Sequence, residues 1–262
     1  MKGIMVVIEN DKDILLERDF NFIDMHHHST CSDGNRTPAY IAKVCRRRRL
    51  GVAITDHNSI AGSLYICRQK GLFTIPAIEV TSNSCKDILG YFRNISDLKS
   101  FYAAEIYGKT NRNLISYNRT IHSTMNLVEK IKYHGGIAVL AHPFAPLMKS
   151  SYKLLENKEF LKTIDGIESH NFAVGNFNLS YNFARRFDKP LTAGSDSHGM
   201  TAFNTLVGST RFEVDSFLDS LLKQKTFIYH SLKNPLRKAY ENLTVLKNYV
   251  TPYKHDFDLE ME

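Results

Sequence analysis

Apolar, β-prone runs alternate along this chain with amphipathic stretches of helical period, and most of the apolar runs end in a short polar motif. Gly3 to Ile8 and Asp13 to Glu17 read as two strands around an Asn10-Asp11 turn. Phe22 to Met25 is a short strand. Thr37-Pro38 then supplies the N-cap and first position of a helix that runs to about Leu50 and stops at Gly51. Val52 to Thr55 is a strand, Ser59 to Lys70 a helix ended by Gly71, and Phe73 to Ile78 a strand that delivers Glu79. Asp87 to Phe92 is a further strand. Thr124 to His134 is helical, stops at Gly135-Gly136, and leads into the buried strand Ile137 to Ala141. Strands at Gly166 to Ser169 and Leu191 to Ala193 flank a helix from Asn178 to Phe187, with Pro190 past its end. Thr205 to Ser209 and Thr226 to Tyr229 are strands around a helix from Ser216 to Lys223.

Repeated strand–helix alternation predicts an α/β fold with a parallel sheet. Polar motifs at the carboxyl ends of many strands predict that the sheet closes into a barrel, where those ends meet at one face. The expected organisation is an amino-terminal β-hairpin extension (1–20), a barrel domain (21–250) and a charged, frayed tail (251–262). Residues 96–120 are polar and irregular and are the candidate lid or insertion.

Composition narrows the class. The chain has 262 residues, a hydrophobic fraction of 43% and a charged fraction of 23%, as expected of a soluble globular protein. No apolar run nears the roughly 20 residues that span a bilayer, and Met1 to Asn10 reads as mature sequence, not a signal peptide. Cys31, Cys45, Cys67 and Cys85 lack C-x-x-C spacing, so reduced thiols and a cytoplasmic location are expected. A net charge of +7 favours anionic partners, such as phosphorylated metabolites, nucleotides or nucleic acid.

The motifs carry the chemistry. In Asp24-Met25-His26-His27-His28, strand alternation points His26 and His28 to one face, with Asp24 one step back to orient a ring, and turns His27 away. That arrangement suits two imidazoles on one metal ion. Asp33, in Ser32-Asp33-Gly34, is a candidate ligand beside them. In Thr55-Asp56-His57-Asn58, His57 is the expected ligand, Asp56 its orienting partner and Asn58 a substrate contact. Glu79 ends an otherwise apolar strand, where a buried carboxylate needs a cation. His142 holds the equivalent place after Ile137 to Ala141. Glu168 and His170 share a strand face, of which His170 is the preferred ligand, and Asp196 and His198 share another. Lys109, Arg112 and Arg119 are candidates for gripping a phosphate, and Tyr102, Tyr107 and Tyr117 for stacking a base. Arg46-Arg47-Arg48-Arg49 falls at a helix carboxyl end and reads as a solvated face.

In order, D-x-H-x-H-S, S-D-G, T-D-H-N, a strand-end Glu, A-H-P and G-S-D-x-H-G resemble the polymerase and histidinol phosphatase (PHP) superfamily, over Phe22 to Leu206. The resemblance implies a distorted seven-stranded β/α barrel of TIM-like type with a three-metal phosphoesterase site. It implies that His26 and His28 hold a first ion with Glu79 and Asp196, and that Glu79 bridges to a second held by His142 and His170. Asp33, His57 and His198 would hold the third. Glu79, Asp196, His198 and Asp56 form the expected catalytic group.

The expected cofactors are up to three divalent ions, Zn, Mn or Fe, since imidazole with carboxylate suits all of them. The expected reaction is hydrolysis of phosphomonoesters, of nucleotides or nucleoside bisphosphates, by a metal-bridged hydroxide. The alternatives are a 5'-3' exonuclease on single strands and a metal-binding regulatory domain without turnover. An amidohydrolase-like C–N hydrolase fits the T-D-H-N and S-D-x-H pair poorly.

Overall fold

The computed structural model describes residues 6–7, 20–113, 116–173, 182–199, 203–230 and 244. The strands are β1 (Val6–Val7), β2 (Asn21–His27), β3 (Gly51–Ile54), β4 (Ala77–Thr81), β5 (Asp87–Tyr91), β6 (Thr110–Asn113), β7 (Ser116–Thr120), β8 (Ile137–Leu140), β9 (Gly166–Asn171), β10 (Leu191–Gly194), β11 (Thr205–Ser209) and β12 (Phe227–His230). The α-helices are α1 (Pro38–Arg48), α2 (Ala61–Cys67), α3 (Ile95–Phe101), α4 (Thr124–Tyr133), α5 (Lys158–Thr163) and α6 (Val214–Leu222).

The strands form two five-stranded sheets, in the orders β1-β12-β11-β2-β3 and β10-β9-β8-β5-β4, with β6-β7 as a separate hairpin. The sheets are mixed, which corrects the expectation of an all-parallel arrangement. β5 is antiparallel to both β4 and β8, and β11 to both β2 and β12. The reason is the length of the link between β4 and β5. Ser82 N donates to Lys86 O at 2.8 Å, and Cys85 takes a φ of 61° in between. A connection that short permits only antiparallel pairing.

No continuous ladder closes the sheets into one barrel among the described residues. Single parallel bridges, His27 with Ser197 and His57 with Glu79, join the edges instead. All four of those residues lie in or beside the polar motifs, so the two sheets meet where the chemistry-bearing residues are.

Between the sheets and helices the core is apolar. Ile23, Met25, Ala53, Ile78, Val80, Ile88, Val139, Ile167, Ala193 and Val207 are fully buried. Each side chain of Ile, Val or Met size contributes roughly 1.5–3 kcal/mol on burial. Helix α1 starts as the sequence predicts. Thr37 accepts from Tyr40 N, and Pro38 fills the first position. It ends earlier than expected, on Arg49 in the left-handed region at φ 56°, and Gly51 opens β3. Arg46, Arg47 and Arg48 occupy its last turn, as read.

The segment expected to be irregular is built. Asn94 caps α3, a π-turn covers Tyr102–Ile106, and β6 and β7 follow. Glu105, in the π-turn, pairs with Lys130 of α4 at 2.6 Å and anchors the segment. Apart from β1, the predicted 1–20 hairpin lies outside the described residues, as do the first part of the 178–187 helix and the 251–262 tail. The four cysteines are free. No helix among the described residues is long and apolar enough to cross a membrane.

Candidate metal centre

The centre begins with an irregularity in β2. Its register against β3 shifts between Asp24 and His27, so the strand carries one extra residue there and loses strict alternation. Asp24 lands beside His27, accepting from its Nδ1 at 3.1 Å and from Ser195 N at 2.9 Å. The Ser195 hydroxyl donates to the other Asp24 oxygen at 2.5 Å. His26 and His28 turn together to the opposite side, with their Nε2 atoms 3.1 Å apart.

Glu79 sits at the middle of what gathers around them. Its Oε2 is 3.4 Å from His26 Nε2, 3.3 Å from His28 Nε2 and 3.1 Å from His57 Nδ1. Its Oε1 is 3.2 Å from His142 Nε2. Asp196 Oδ1 lies 3.4 Å from His26, 3.0 Å from His28 and 3.5 Å from His198 Nδ1. On the far side of His28, Asp33 approaches His28, His198 and His57 at 3.5, 3.2 and 3.9 Å. Asp87, the first residue of β5, is 3.6 Å from His142 and 2.7 Å from Lys149 Nζ.

Backbone strain is concentrated here. Asn58, His142 and Asp196 all have positive φ, at 49°, 23° and 49°. Such conformations cost of order 1–3 kcal/mol each and persist only where the surroundings dictate them. Asn58 N donates to Glu79 O, Asp196 N to His26 O, and His142 N to Glu168 Oε2, so each strained residue is pinned by another site residue.

A second layer fixes the first. Glu168 Oε1 is 2.9 Å from His26 Nδ1, which leaves Nε2 for the cluster. Asn171 donates to Glu168 and to Asp196 Oδ2. Asp56 accepts from Ser29 N, the Ser29 hydroxyl and the Ser32 hydroxyl, and so folds the turn that carries Asp33. Burial raises the Asp56 carboxyl against those hydrogen bonds.

The donor set fits divalent cations. Four groups of ligand-type atoms come together: His28, Asp33, His57 and His198; His26, His28 and Glu79; His26, His142 and Asp196; and His57, Glu79 and Asp87. Glu79 Oε2 faces three imidazole nitrogens yet makes no well-aligned hydrogen bond with a described residue, and the same holds for buried His142 Nδ1. Lone pairs that converge in a buried place without protons between them are what a cation would satisfy.

Charge coupling shows the same demand. Burial opposes charge on His28, but the Asp196 and Glu79 carboxylates beside it outweigh burial and raise the ring to about 10. His26 is likewise raised, with Asp196, Glu168 and Glu79 overcoming burial. Glu79 is driven well below the carboxylate range despite burial, chiefly by His57 and His26. Burial pushes His57 down to about 4, with Lys149 reinforcing that push against the pull of Glu79.

In metal-free protein these shifts have a sign. Below about pH 6.5, the ordinary histidine value, His28 is charged in folded and unfolded chains alike and its contribution is complete. From there to about 10 only the folded chain keeps the proton, so stability falls as pH rises. Melting midpoints of chelator-stripped protein should therefore drop between pH 7 and pH 9. A midpoint that holds or climbs over that range would contradict the assignment.

No family model matches the chain. An uncharacterized protein of Methanocaldococcus jannaschii is 26% identical over 163 residues, covering 56% of this chain and 80% of that protein. A candidate metal-dependent phosphoesterase from Bifidobacterium adolescentis superposes with a TM-score of 0.56 at 20% identity, over 77% of this chain and 96% of that one. A two-domain protein of Bacteroides vulgatus, containing a predicted PHP-like metal-dependent phosphoesterase, gives 0.58 at 15% identity, over 87% and 68%. The fold is PHP-like. A lesion-specific endonuclease from Pyrococcus furiosus gives 0.62 at 14% identity over 80% of this chain, which spans 57% of that enzyme.

Within the PHP-like fold, His26, His28, Asp33, His57, Glu79, His142, Asp196 and His198 are brought together. His170 is not among the gathered residues. β9 pairs Glu168 with Thr192 and His170 with Ala193, so the strand bulges at Ser169 and the two side chains no longer share a face. His170 contacts the Ser169 hydroxyl at 2.7 Å and lies 6.0 Å from the His230 ring, and burial with His230 lowers it to about 3. Asp24 orients His27, not His26. Asp56 is tied to serines and not to His57. The Asn58 side-chain oxygen accepts from Thr81 N. Lys109 donates to Ala104 O, and Arg119 to Asn83 O at 3.5 Å. The side chains of Arg112 and Tyr117 lie outside the described residues. Glu168, Asn171, Asp87 and Lys149 were not singled out as preferred site residues from sequence. Replacing His170 by Ala should leave metal content unchanged, whereas Glu168→Ala should weaken metal binding by about 10–100-fold. Elemental analysis of both variants after equal dialysis checks this, and the opposite ranking would restore His170 as a ligand.

Proposed function

We propose that this chain is a metal-dependent phosphoesterase. It would hydrolyse phosphomonoesters of nucleotides or nucleoside bisphosphates, at a site for up to three divalent ions (Zn, Mn or Fe). The observation that carries this reading is the single carboxylate of Glu79 facing His26, His28, His57 and His142 at 3.1–3.4 Å, with Asp196 and Asp33 completing the ring. His26 and His28 with Glu79 and Asp196 would hold one ion; Asp33, His57 and His198 another; and Glu79 with His142 and Asp87 the remaining corner. Bound there, divalent ions would supply Lewis acidity toward phosphoryl oxygens and a nucleophile at neutral pH.

The chain's own residues do the positioning. Glu168 keeps His26 Nδ1 occupied, Asn171 steadies Asp196, and Asp56 holds the turn bearing Asp33. Burial of every cluster residue but the part-exposed Asp33 limits screening by bulk water, where preorganised charge is worth most. The +7 net charge favours an anionic substrate. We read β2, β3, β4, β5, β8, β9 and β10, with their bridged edges, as the distorted seven-stranded barrel of this fold, in a body spanning 21–250.

A nuclease is the second reading, supported by likeness to the Pyrococcus enzyme and to endonuclease Q solved with a 27-mer duplex carrying an abasic lesion. Manganese-loaded protein should release inorganic phosphate from nucleoside bisphosphates and leave oligonucleotides intact. Mononucleotides or nicked strands without phosphate release would favour the nuclease. No hydrolysis of any phosphoester by metal-loaded protein would end both readings.

A further inference from the structure

We propose that Lys149 is a built-in cation of this centre: its ammonium takes the place of a divalent ion at the corner formed by Glu79, Asp87 and His142, so the chain binds two ions and not three. The inference builds on the phosphoesterase reading and concerns how that site is charged.

Position comes first. Lys149 ends a short 3-10 turn, Leu147–Lys149, on the loop that leaves His142. The loop doubles back on itself, because Ser151 N and Tyr152 N both donate to Pro143 O, at 2.9 and 3.0 Å. That fold carries a long cationic side chain inward, and Lys149 is only 6% exposed. Lysine is among the residues least often buried without a partner. Its Nζ is 2.7 Å from Asp87 Oδ2.

The need at Asp87 comes second. Asp87 is 1% exposed, and neither carboxylate oxygen makes a well-aligned hydrogen bond with a described residue. The nearest imidazole is His142, at 3.6 Å. A buried carboxylate in that position requires a cation. Asp33, Glu79 and Asp196 face imidazoles, which bind a metal ion when neutral. Asp87 faces an ammonium, a compact point charge with three donors and no acceptor.

Competition comes third. A divalent ion on Asp87 Oδ2 and an ammonium 2.7 Å from the same oxygen would place like charges a few ångströms apart in a low-dielectric site. One excludes the other. An ammonium also differs in kind from the ion it replaces: it can donate to an anionic substrate oxygen, but it has no open coordination position.

Metal stoichiometry tests this. Wild type and Lys149→Met are equilibrated with excess Mn(II), desalted, and read by elemental analysis and by calorimetric titration of stripped protein. The expected result is two equivalents in the wild type and a third in Lys149→Met, with the first two affinities within about threefold. Lys149→Met combined with Asp87→Asn should return to two. Stripped Lys149→Met should melt lower than stripped wild type and recover with Mn(II). If Lys149→Met cannot be recovered folded, the wild-type count decides alone, since three tight equivalents there overturn the inference. Equal counts in wild type and Lys149→Met also overturn it. Three ions with phosphate release would remove the lysine assignment and leave the phosphoesterase reading standing, whereas a chain that binds no metal removes both.

Discussion

Replacing Glu79 with Gln should lower phosphate release by at least about a hundredfold and strip metal from the protein, while leaving it folded. Positioning groups that only orient a ligand typically cost 10–100-fold in metal affinity. Glu79 does more, because its two oxygens face His26, His28, His57 and His142 directly. Glutamine keeps the volume, so β4 and its pairing with β5 should survive. What is lost is the charge shared by four imidazoles. The check is kcat/KM beside metal content and circular dichroism. A Glu79→Gln variant with native metal content and native turnover would show that the carboxylate is not the hub of the site.

Gly194→Ala should be strongly damaging, because it drives a methyl group into the backbone of β2. An added Cβ at Gly194 would sit 2.2 Å from His26 Cβ and 2.6 Å from His26 N. Neither neighbour is a flexible side-chain end, so β2 and β10 would have to separate. That movement would break the bridge of His27 to Ser197 and the hydrogen bond from Asp196 N to His26 O. Overpacking of this kind costs about 3 kcal/mol, which for a chain of this size lowers Tm by roughly 6–12 °C. Activity should fall further than stability does, since His26 and Asp196 are the groups displaced. Differential scanning calorimetry with a metal count checks both parts. A Gly194→Ala variant that melts and binds metal like wild type would mean the two strands are less tightly apposed than described.

Much of the site was legible because strand ends announce themselves. His28, His57, His142 and Asp196 each lie at or just past the carboxyl end of a mostly apolar, β-prone run. The structure places residues differently from the sequence reading where the chain departs from regular strand geometry. One extra residue in β2 moved Asp24 to the side of His27, and the bulge at Ser169 set Glu168 beside His26 and turned His170 to another face. Neither bulge has a glycine or proline to mark it. Asp87 was missed for a different reason. β5 runs antiparallel, so it presents its first residue to the site and not its last. Reading every strand as parallel directs attention to the wrong end. The short Ser82 to Lys86 link was the available signal, since so few residues cannot make a parallel crossover. Lys149 was not visible because its role depends on a loop that folds back onto Pro143, and no periodicity encodes that. The π-turn of 102–106 is held by Glu105 and Lys130, a pairing that hydropathy does not report.

The central claim is that imidazoles and carboxylates far apart in sequence meet to hold divalent cations. Anomalous diffraction from crystals soaked in Mn(II), collected at the manganese edge, tests it most directly. Strong peaks should lie between His26, His28, Glu79 and Asp196, and between Asp33, His57 and His198. A well-ordered cluster with no anomalous density within ligand distance of either group would contradict the account.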